Sequence, residues 1–298
     1  MRALLFNAQY DQLDKMAETA RSQKLRFPGG EWQLRYFYTA IDAPVGADRG
    51  SEDHLRRIEA WAQSRPNSVT ARVALAKSYV RYAWEARGNG MADTVTPLGW
   101  RLFAERLHEA HEILDAAEAM SPPCPEVYST MQAVALGENL NADGMRQLFE
   151  RAIQIEPEYF YLYDAYANYL LPKWDGRPGD SAAFARESAD RVSGSAGDIL
   201  YFEIATVLIK MGNGNFEPTE LDWQRIQRGH AALEAAYGGA RRERNQFAFM
   251  AVRFKDAQVA RQEFSIIGDD WGQAVWRTRQ QFDRARDWAL AHGGTAGS

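Results

Sequence analysis

Apolar residues recur with the period of an α-helix along almost the whole chain, and this pattern limits the fold more than any other feature. Between Asn67 and Arg87, one set of apolar side chains lines one face of a predicted helix, and a second set lines another. A helix that is apolar on two sides must pack between two neighbours. Runs in which β-branched residues alternate with polar ones do not occur, so the sequence predicts no sheet. The chain is therefore predicted to be all-α.

Capping residues and prolines predict where the helices begin and end. Thr96 followed by Pro97 predicts the start of a long helix, which Ser121-Pro122-Pro123 ends. Gly212 and Gly238 are predicted to cap the C-terminal ends of two others. Further helices are predicted near 126–138, 142–155, 158–171, 180–192, 197–211, 220–237, 243–254, 256–267 and 273–291.

About fourteen helices joined by short connectors predict stacked antiparallel hairpins, which form an α-solenoid. We expect a single helical-repeat domain over residues 1–292, with a candidate internal boundary near 172–180. Residues 293–298 are predicted to form a flexible tail, because glycine and small polar residues dominate there.

One segment carries a repeat signature. Leu148 to Pro157 places a large aromatic residue at Phe149, a small residue at Ala152 and a proline at Pro157. This spacing resembles the second-helix ending of a tetratricopeptide repeat. Only the interval from Pro122 to Pro157 is close to the ~34-residue length of such a repeat. The resemblance therefore implies degenerate tetratricopeptide-like hairpins that bind a protein or peptide.

The whole chain also resembles a bacterial family of uncharacterised helical proteins. The resemblance rests on Tyr82-Ala83-Trp84-Glu85-Ala86-Arg87-Gly88, on Tyr169-Leu170-Leu171-Pro172-Lys173-Trp174, and on Gly197-Asp198-Ile199-Leu200-Tyr201. It implies the same helical fold and no particular activity.

Charge and cysteine content exclude several classes of function. The net charge is -5 with acids and bases interspersed, so we expect no nucleic-acid partner. The densest basic cluster, Arg241-Arg242-Glu243-Arg244, is interpreted as the solvated start of a helix. The single cysteine, Cys124, excludes an internal disulfide and a cysteine-based zinc site.

The sequence gives no indication of a membrane span or a secretory leader. No apolar run reaches the ~20 residues that cross a bilayer, and the opening residues lack a long apolar core. We therefore expect a cytoplasmic protein, unless a signal peptide has been removed. No cofactor is predicted, and the oligomeric state is left open.

The segment from Trp84 to Trp100 is the first candidate binding site. In one interpretation it is a ligand loop in which Trp84 and Trp100 are flat anchors beside Arg87 and Asp93. In the other, Arg87 pairs with Asp93 and holds an inserted loop against Trp84.

Two other segments contribute candidate contacts. The turn-rich stretch from Pro172 to Asp180 offers Lys173 and Trp174, and Asp180 is predicted to cap the next helix. The aromatic run at 158–163 cannot place all its rings on one helix face, so we expect Tyr163 to contact a ligand in a groove.

The histidines predict no metal site. His108 and His111 are three residues apart, whereas the metalloprotease motif needs histidines four apart. We interpret them as solvated, and we interpret His230 as a core residue with a hydrogen-bonded partner.

These features favour a non-catalytic adaptor or regulatory module that binds an unidentified protein or peptide. The alternative is a small-molecule-binding protein or hydrolase-like enzyme with an acidic and aromatic pocket, in which Glu85, Asp93, Asp175 and His111 converge. A purely structural or self-associating protein is a third hypothesis.

Overall fold

The computed structural model describes residues 1–42, 50–211 and 220–294. These residues form an all-α structure without a β-strand, as the apolar periodicity predicts. They group into two compact units. The first unit comprises Met1–Leu25 and Glu31–Tyr166, and the second comprises Arg26–Gly30 and Ala167–Ser298. The division after Tyr166 lies shortly before the predicted boundary near 172–180.

Nine helices begin in the first unit, and the last of them, α9, continues into the second. They are α1 (Arg2–Phe6), α2 (Tyr10–Ser22), α3 (Gln33–Asp42), α4 (Ser51–Ser64), α5 (Val69–Arg87), α6 (Pro97–Glu118), α7 (Pro125–Gly137), α8 (Ala142–Ile155) and α9 (Tyr161–Tyr169).

Consecutive helices of the first unit pack in pairs, from α4 on α5 to α7 on α8. Helix α5 packs against both α4 and α6, which is the arrangement that its two apolar faces predict. Gly99 lets α6 approach α5 closely, because a Cβ at this position would lie 2.8 Å from the carbonyl oxygen of Ala86. Thr96 accepts a hydrogen bond from the Gly99 amide at 3.0 Å, which confirms the predicted cap of α6.

The second unit contains the remaining helices. They are α10 (Asp180–Val192), α11 (Gly194–Met211), α12 (Trp223–Tyr237), α13 (Arg241–Arg253), α14 (Ala257–Ile267), α15 (Gln273–Trp276) and α16 (Arg279–His292). Pairs form between α10 and α11, α11 and α12, and α13 and α14, while α16 packs on α14. Paired packing in both units fits the predicted helical solenoid.

Two boundaries differ from the sequence prediction or lie outside the described ranges. The single helix predicted over 273–291 is wrong, because Arg277 adopts a left-handed backbone (φ 58°) that ends α15, and Thr278 then caps α16. Gly238 ends α12 as predicted, with φ 75°. Gly212 and residues 295–298 of the predicted tail lie outside the described residues.

Sixteen α-helices are present in the described ranges, two of which, α1 and α15, are short. None of them is both long enough and apolar enough to cross a bilayer.

Candidate functional site

Arg87 lies at the centre of the predicted site between Trp84 and Trp100. Its guanidinium carbon is 5.4 Å from the Trp84 ring centroid and 5.3 Å from the Trp100 ring centroid, within the range of cation–π attraction. The same guanidinium donates hydrogen bonds of 3.2 Å to the carbonyls of Gly88 and Gly90. The partners of Arg87 are therefore two indoles and the turn that follows it, rather than the Asp93 carboxylate.

The local fold explains why these side chains meet. Trp84 occupies the last turn of α5, and Trp100 occupies the first turn of α6. Gly88, with φ 75°, ends α5, and a single 3₁₀ turn at Ala92–Thr94 lies in the connection to α6. Because α5 and α6 are closely packed neighbours, the two indoles come together against Phe103, at ring-centroid distances of 4.9 and 5.9 Å.

This cluster presents an apolar patch on the first unit. Trp100 is 39 % exposed, and nearby Leu98 and Met91 are 55 % and 79 % exposed. An exposed indole beside a cation is suited to contact with a partner surface. Asp93 is exposed as well, on the 3₁₀ turn.

Lys173 and Trp174 lie side by side on the second unit. The Lys173 Nζ atom donates to the Met211 carbonyl at 3.1 Å and is 6.0 Å from the Trp174 ring centroid. Partial burial lowers the pKa of Lys173. Trp174 is 39 % exposed and so remains available for contact. Lys173 thus anchors the turn on the end of α11 and presents the indole beside it.

Two carboxylates of this turn accept hydrogen bonds from residues close to them in the sequence. Asp175 accepts a hydrogen bond from the Tyr169 hydroxyl at 2.8 Å, and Asp180 accepts from the Arg177 amide at 2.8 Å. The predicted cap role of Asp180 is wrong. Gly179 is the N-cap residue, and Asp180 is the first residue of α10.

Tyr163 belongs to the core and does not contribute to a binding surface. It is 2 % exposed, and its hydroxyl donates to the Pro157 carbonyl at 3.0 Å. Its ring packs edge to face on Phe149 at 5.2 Å. The predicted exposure of Tyr163 is wrong, because α9 is short and packs its aromatic residues against α8.

The residues of the alternative acidic pocket each have local partners. Glu85 pairs with Arg81 and also accepts a hydrogen bond from Ser51, while His111 contacts Glu138 at 2.9 Å. Asp175 accepts the hydrogen bond from the Tyr169 hydroxyl. His108 lies beside Glu112 at the exposed edge of α6, as predicted.

A cavity of about 470 Å³ in the second unit is not evident from the sequence. It lies between the C-terminal end of α11, one face of α13, and α15 with the start of α16. Its floor is apolar, with Phe249 and Met250 from α13, Ile209 from α11 and Val275 from α15. We call this surface the cationic groove, because of the residues at its rim.

Among the described residues, four basic side chains and no acidic ones line the cationic groove. They are Lys210, Arg242, Arg253 and Arg277, all of them exposed, and Gln246 and Gln281 add amide groups. These cations come from α11, from α13 and from the connection between α15 and α16, so no single segment of the sequence shows a basic stripe. The sequence carries a weak indication of this groove, because the spacing of Arg242, Gln246, Phe249 and Arg253 places them on one face of a helix.

A buried ionic cluster holds the first unit together. Glu126, at the start of α7, is fully buried and accepts hydrogen bonds from Lys77 of α5 at 2.6 Å, from Arg35 of α3 at 3.2 Å, and from the Tyr159 hydroxyl. Burial alone would raise the pKa of Glu126, but Lys77 and Arg35 lower it below its ordinary value. We call these residues the Glu126 cluster. Because the carboxylate has several donors, its role is structural.

The interpretation of Arg241-Arg242-Glu243-Arg244 as a solvated helix start is only partly correct. Helix α13 begins at Arg241, and both Arg241 and Arg242 are exposed. Glu243, however, is 3 % exposed. His230 is also buried, as predicted, but it stacks on Phe247 at 3.9 Å, and its Nε2 atom has no hydrogen-bond partner among the described residues.

Comparisons with known proteins add one finding. Residues 1–132 match a family model described as a domain of unknown function (DUF4034). This match agrees with the expected resemblance to uncharacterised proteins. Neither the curated proteins nor the solved structures yield a match to the chain.

Proposed function

We propose that this chain is a non-catalytic binding module whose cationic groove receives an acidic segment of a partner protein or peptide. The observation that carries the proposal is the groove itself, whose described lining combines an apolar floor with four basic side chains and no acidic one. Interaction sites in which an apolar centre is surrounded by a charged rim are common in protein complexes. Opposite charge on the partner would steer association and fix its orientation.

The spacing of the cations favours a peptide over a single small anion. Arg242 and Arg253 lie at opposite ends of α13, and eleven residues of α-helix span about 16 Å. One phosphate or carboxylate cannot contact both ends of such a row. A segment that carries several acidic residues among apolar ones can do so.

The paired helices support the same proposal. We infer that they are degenerate tetratricopeptide-like hairpins, on the strength of the Phe149, Ala152 and Pro157 spacing, with Phe149 and Ala152 both buried in α8. Repeats of this kind are typical of proteins that bind extended partners. A cytoplasmic location is part of the proposal. Two other surfaces remain candidates for contact. One is formed by Trp84, Arg87 and Trp100, and we call it the Arg87 patch. The other is Trp174.

A peptide selection tests the groove directly. A displayed library of random 12-residue peptides is selected against the wild-type chain and against an Arg242→Glu/Arg253→Glu variant. The wild type should enrich sequences rich in Asp and Glu with interspersed apolar residues, and the variant should not. A single labelled peptide from the enriched pool should then bind the variant at least about tenfold more weakly.

A Lys15→Glu/Arg284→Glu variant is the matched control. It carries the same change in charge on two exposed residues outside the groove lining, on α2 and α16. It should select the same peptides as the wild type. Equal enrichment by all three proteins, or no enrichment by the wild type, would refute the proposal. Loss of binding on Trp100→Ala, but not in the groove variant, would move the site to the Arg87 patch.

A further inference from the structure

Four acidic or imidazole side chains meet in the second unit, away from the lining of the cationic groove. His230 and Glu234 lie one turn apart on α12, Glu243 lies on the first turn of α13, and Glu263 lies on α14. His230, Glu243 and Glu263 are all buried. We call these four residues the His230 cluster.

Three of these side chains converge on one point. A ring nitrogen of His230 and one carboxylate oxygen each from Glu234 and Glu243 lie within 4.8 Å of one another. Ligands that bind a divalent ion at about 2.0–2.5 Å are separated by distances up to about twice that. One ion could therefore reach all three atoms without a change in the backbone.

Buried atoms of the cluster lack hydrogen bonds within the described residues. These atoms are Nε2 of His230 and Oε2 of Glu243. Oε1 of Glu234 and Oε2 of Glu263 instead face Arg244. The other oxygen of Glu243 is used, because it accepts from the Ala240 amide at 2.6 Å. Buried polar atoms are nearly always paired in folded proteins, so two unpaired atoms on converging side chains indicate an additional ligand.

The charges point to a cation. Arg244 is the basic side chain that the cluster contacts, through an ion pair with Glu234 and a 3.7 Å contact with Glu263. One arginine cannot balance three ionised carboxylates. Burial and the neighbouring Glu234 and Glu243 raise the pKa of Glu263 to about 7, against the opposing effect of Arg244.

The imidazole is in the form that binds metals. Burial, with a contribution from Arg244, lowers the pKa of His230 to about 4. The ring is therefore neutral at pH 7, and a nitrogen lone pair is free to coordinate. Small residues also leave space around the carboxylates. A Cβ at Gly239 would lie 2.7 Å from Oε1 of Glu234, and one at Gly29 would lie 3.1 Å from Oε2 of Glu243.

We propose that His230, Glu234 and Glu243 bind one divalent first-row transition-metal ion. One imidazole with several carboxylates is a ligand set that suits zinc, manganese or ferrous iron. The ion would cross-link α12 and α13. Arg244 would compete with it for Glu234, because the two side chains form an ion pair.

Zinc titration of the full chain, after dialysis against a chelator, tests the proposal. Competition with a chromophoric chelator should show one tight site per chain, and Co²⁺ at the same site should give a visible absorption spectrum. Glu234→Gln keeps the side-chain shape and should weaken zinc binding by at least about tenfold. His230→Gln should do the same.

Two further variants keep the test decisive if His230→Gln does not fold. His108→Gln, on exposed α6, is the matched control and should bind zinc as the wild type does. Arg244→Met removes the competing cation and should strengthen zinc binding. Zinc affinity that is unchanged by Glu234→Gln, or that is lost in His108→Gln, would overturn the proposal. So would a wild-type chain that binds less than one ion.

Discussion

Substitution of Lys77 by methionine should destabilise α7 more than any change on the protein surface. Lys77 places its Nζ atom 2.6 Å from the fully buried carboxylate of Glu126. Methionine fills a similar volume but leaves that charge with only Arg35 and the Tyr159 hydroxyl as donors. Removing one partner of a buried ion pair costs about 3–5 kcal/mol. Because two donors remain on Glu126, we expect a loss at the lower end of this range, about 3 kcal/mol.

Hydrogen exchange measured by mass spectrometry reports this loss locally. In peptides that cover Pro125–Gly137, a loss of about 3 kcal/mol corresponds to exchange about 150-fold faster. A local measurement is needed because the chain has two compact units, and global unfolding need not be a single transition. Lys15→Met, at an exposed position on α2, is the control and should leave exchange in α7 unchanged.

A second substitution separates charge from packing. Adding Glu126→Gln to Lys77→Met should restore part of the protection in α7, because an amide needs no counter-charge. A packing defect caused by methionine would persist in the double variant. Exchange in α7 that stays within about threefold of the wild type in Lys77→Met would refute the argument that the Glu126 cluster stabilises the first unit.

Three further outcomes follow from particular contacts. Gly99→Val should lower the free energy of unfolding by about 1–3 kcal/mol through overpacking of α5 on α6, whereas Ala104→Val on the exposed face of α6 should change urea unfolding little. Arg87→Ala should lower the free energy of unfolding by about 1–2 kcal/mol, because two cation–π contacts are lost. Limited proteolysis of this variant should cut first in the 88–96 connection. A cleavage pattern identical to that of the wild type would contradict this expectation. The raised pKa of Glu263, about 7, means that its carboxyl group binds a proton more tightly in the folded chain than in the unfolded chain. In metal-free buffer, this group therefore stabilises the fold fully below about pH 4.5. Up to about 3 kcal/mol of that stability is lost as the pH rises through about 7. The free energy of unfolding of Glu263→Gln, measured in urea, should not fall over this pH range. Parallel pH profiles for the wild type and the variant would refute the role of Glu263.

Local sequence signals were sufficient to predict most helices. The period of the apolar residues and the caps at Thr96 and Gly238 define helix ends through interactions within a few residues. The break at Arg277 could not be predicted in this way. Arg277 is not a glycine, and its left-handed backbone depends on the packing of α15 and α16 around it.

Predicted site residues lie together in the structure only where residues close in sequence also meet in space. Trp84, Arg87 and Trp100 come together because one short connection joins two packed helices. The lining of the cationic groove is drawn from residues between Thr206 and Gln281, and the sequence pattern that indicates it is confined to α13. The predicted exposure of Tyr163 was wrong, because the surroundings of this side chain depend on how α9 packs rather than on the aromatic residues beside it in the sequence.

The two buried polar clusters lead to different conclusions because their charges balance differently. Glu126 is a single carboxylate that accepts from Lys77, Arg35 and Tyr159, so its pKa lies below the ordinary value and the cluster needs nothing further. The His230 cluster combines three carboxylates with one arginine, and burial raises the pKa of Glu263 to about 7. The unpaired Nε2 of His230 and Oε2 of Glu243 belong to side chains that converge with Glu234, and this geometry carries the proposed metal site. Buried carboxylates therefore stabilise the fold in the first unit, and we propose that they bind a metal ion in the second.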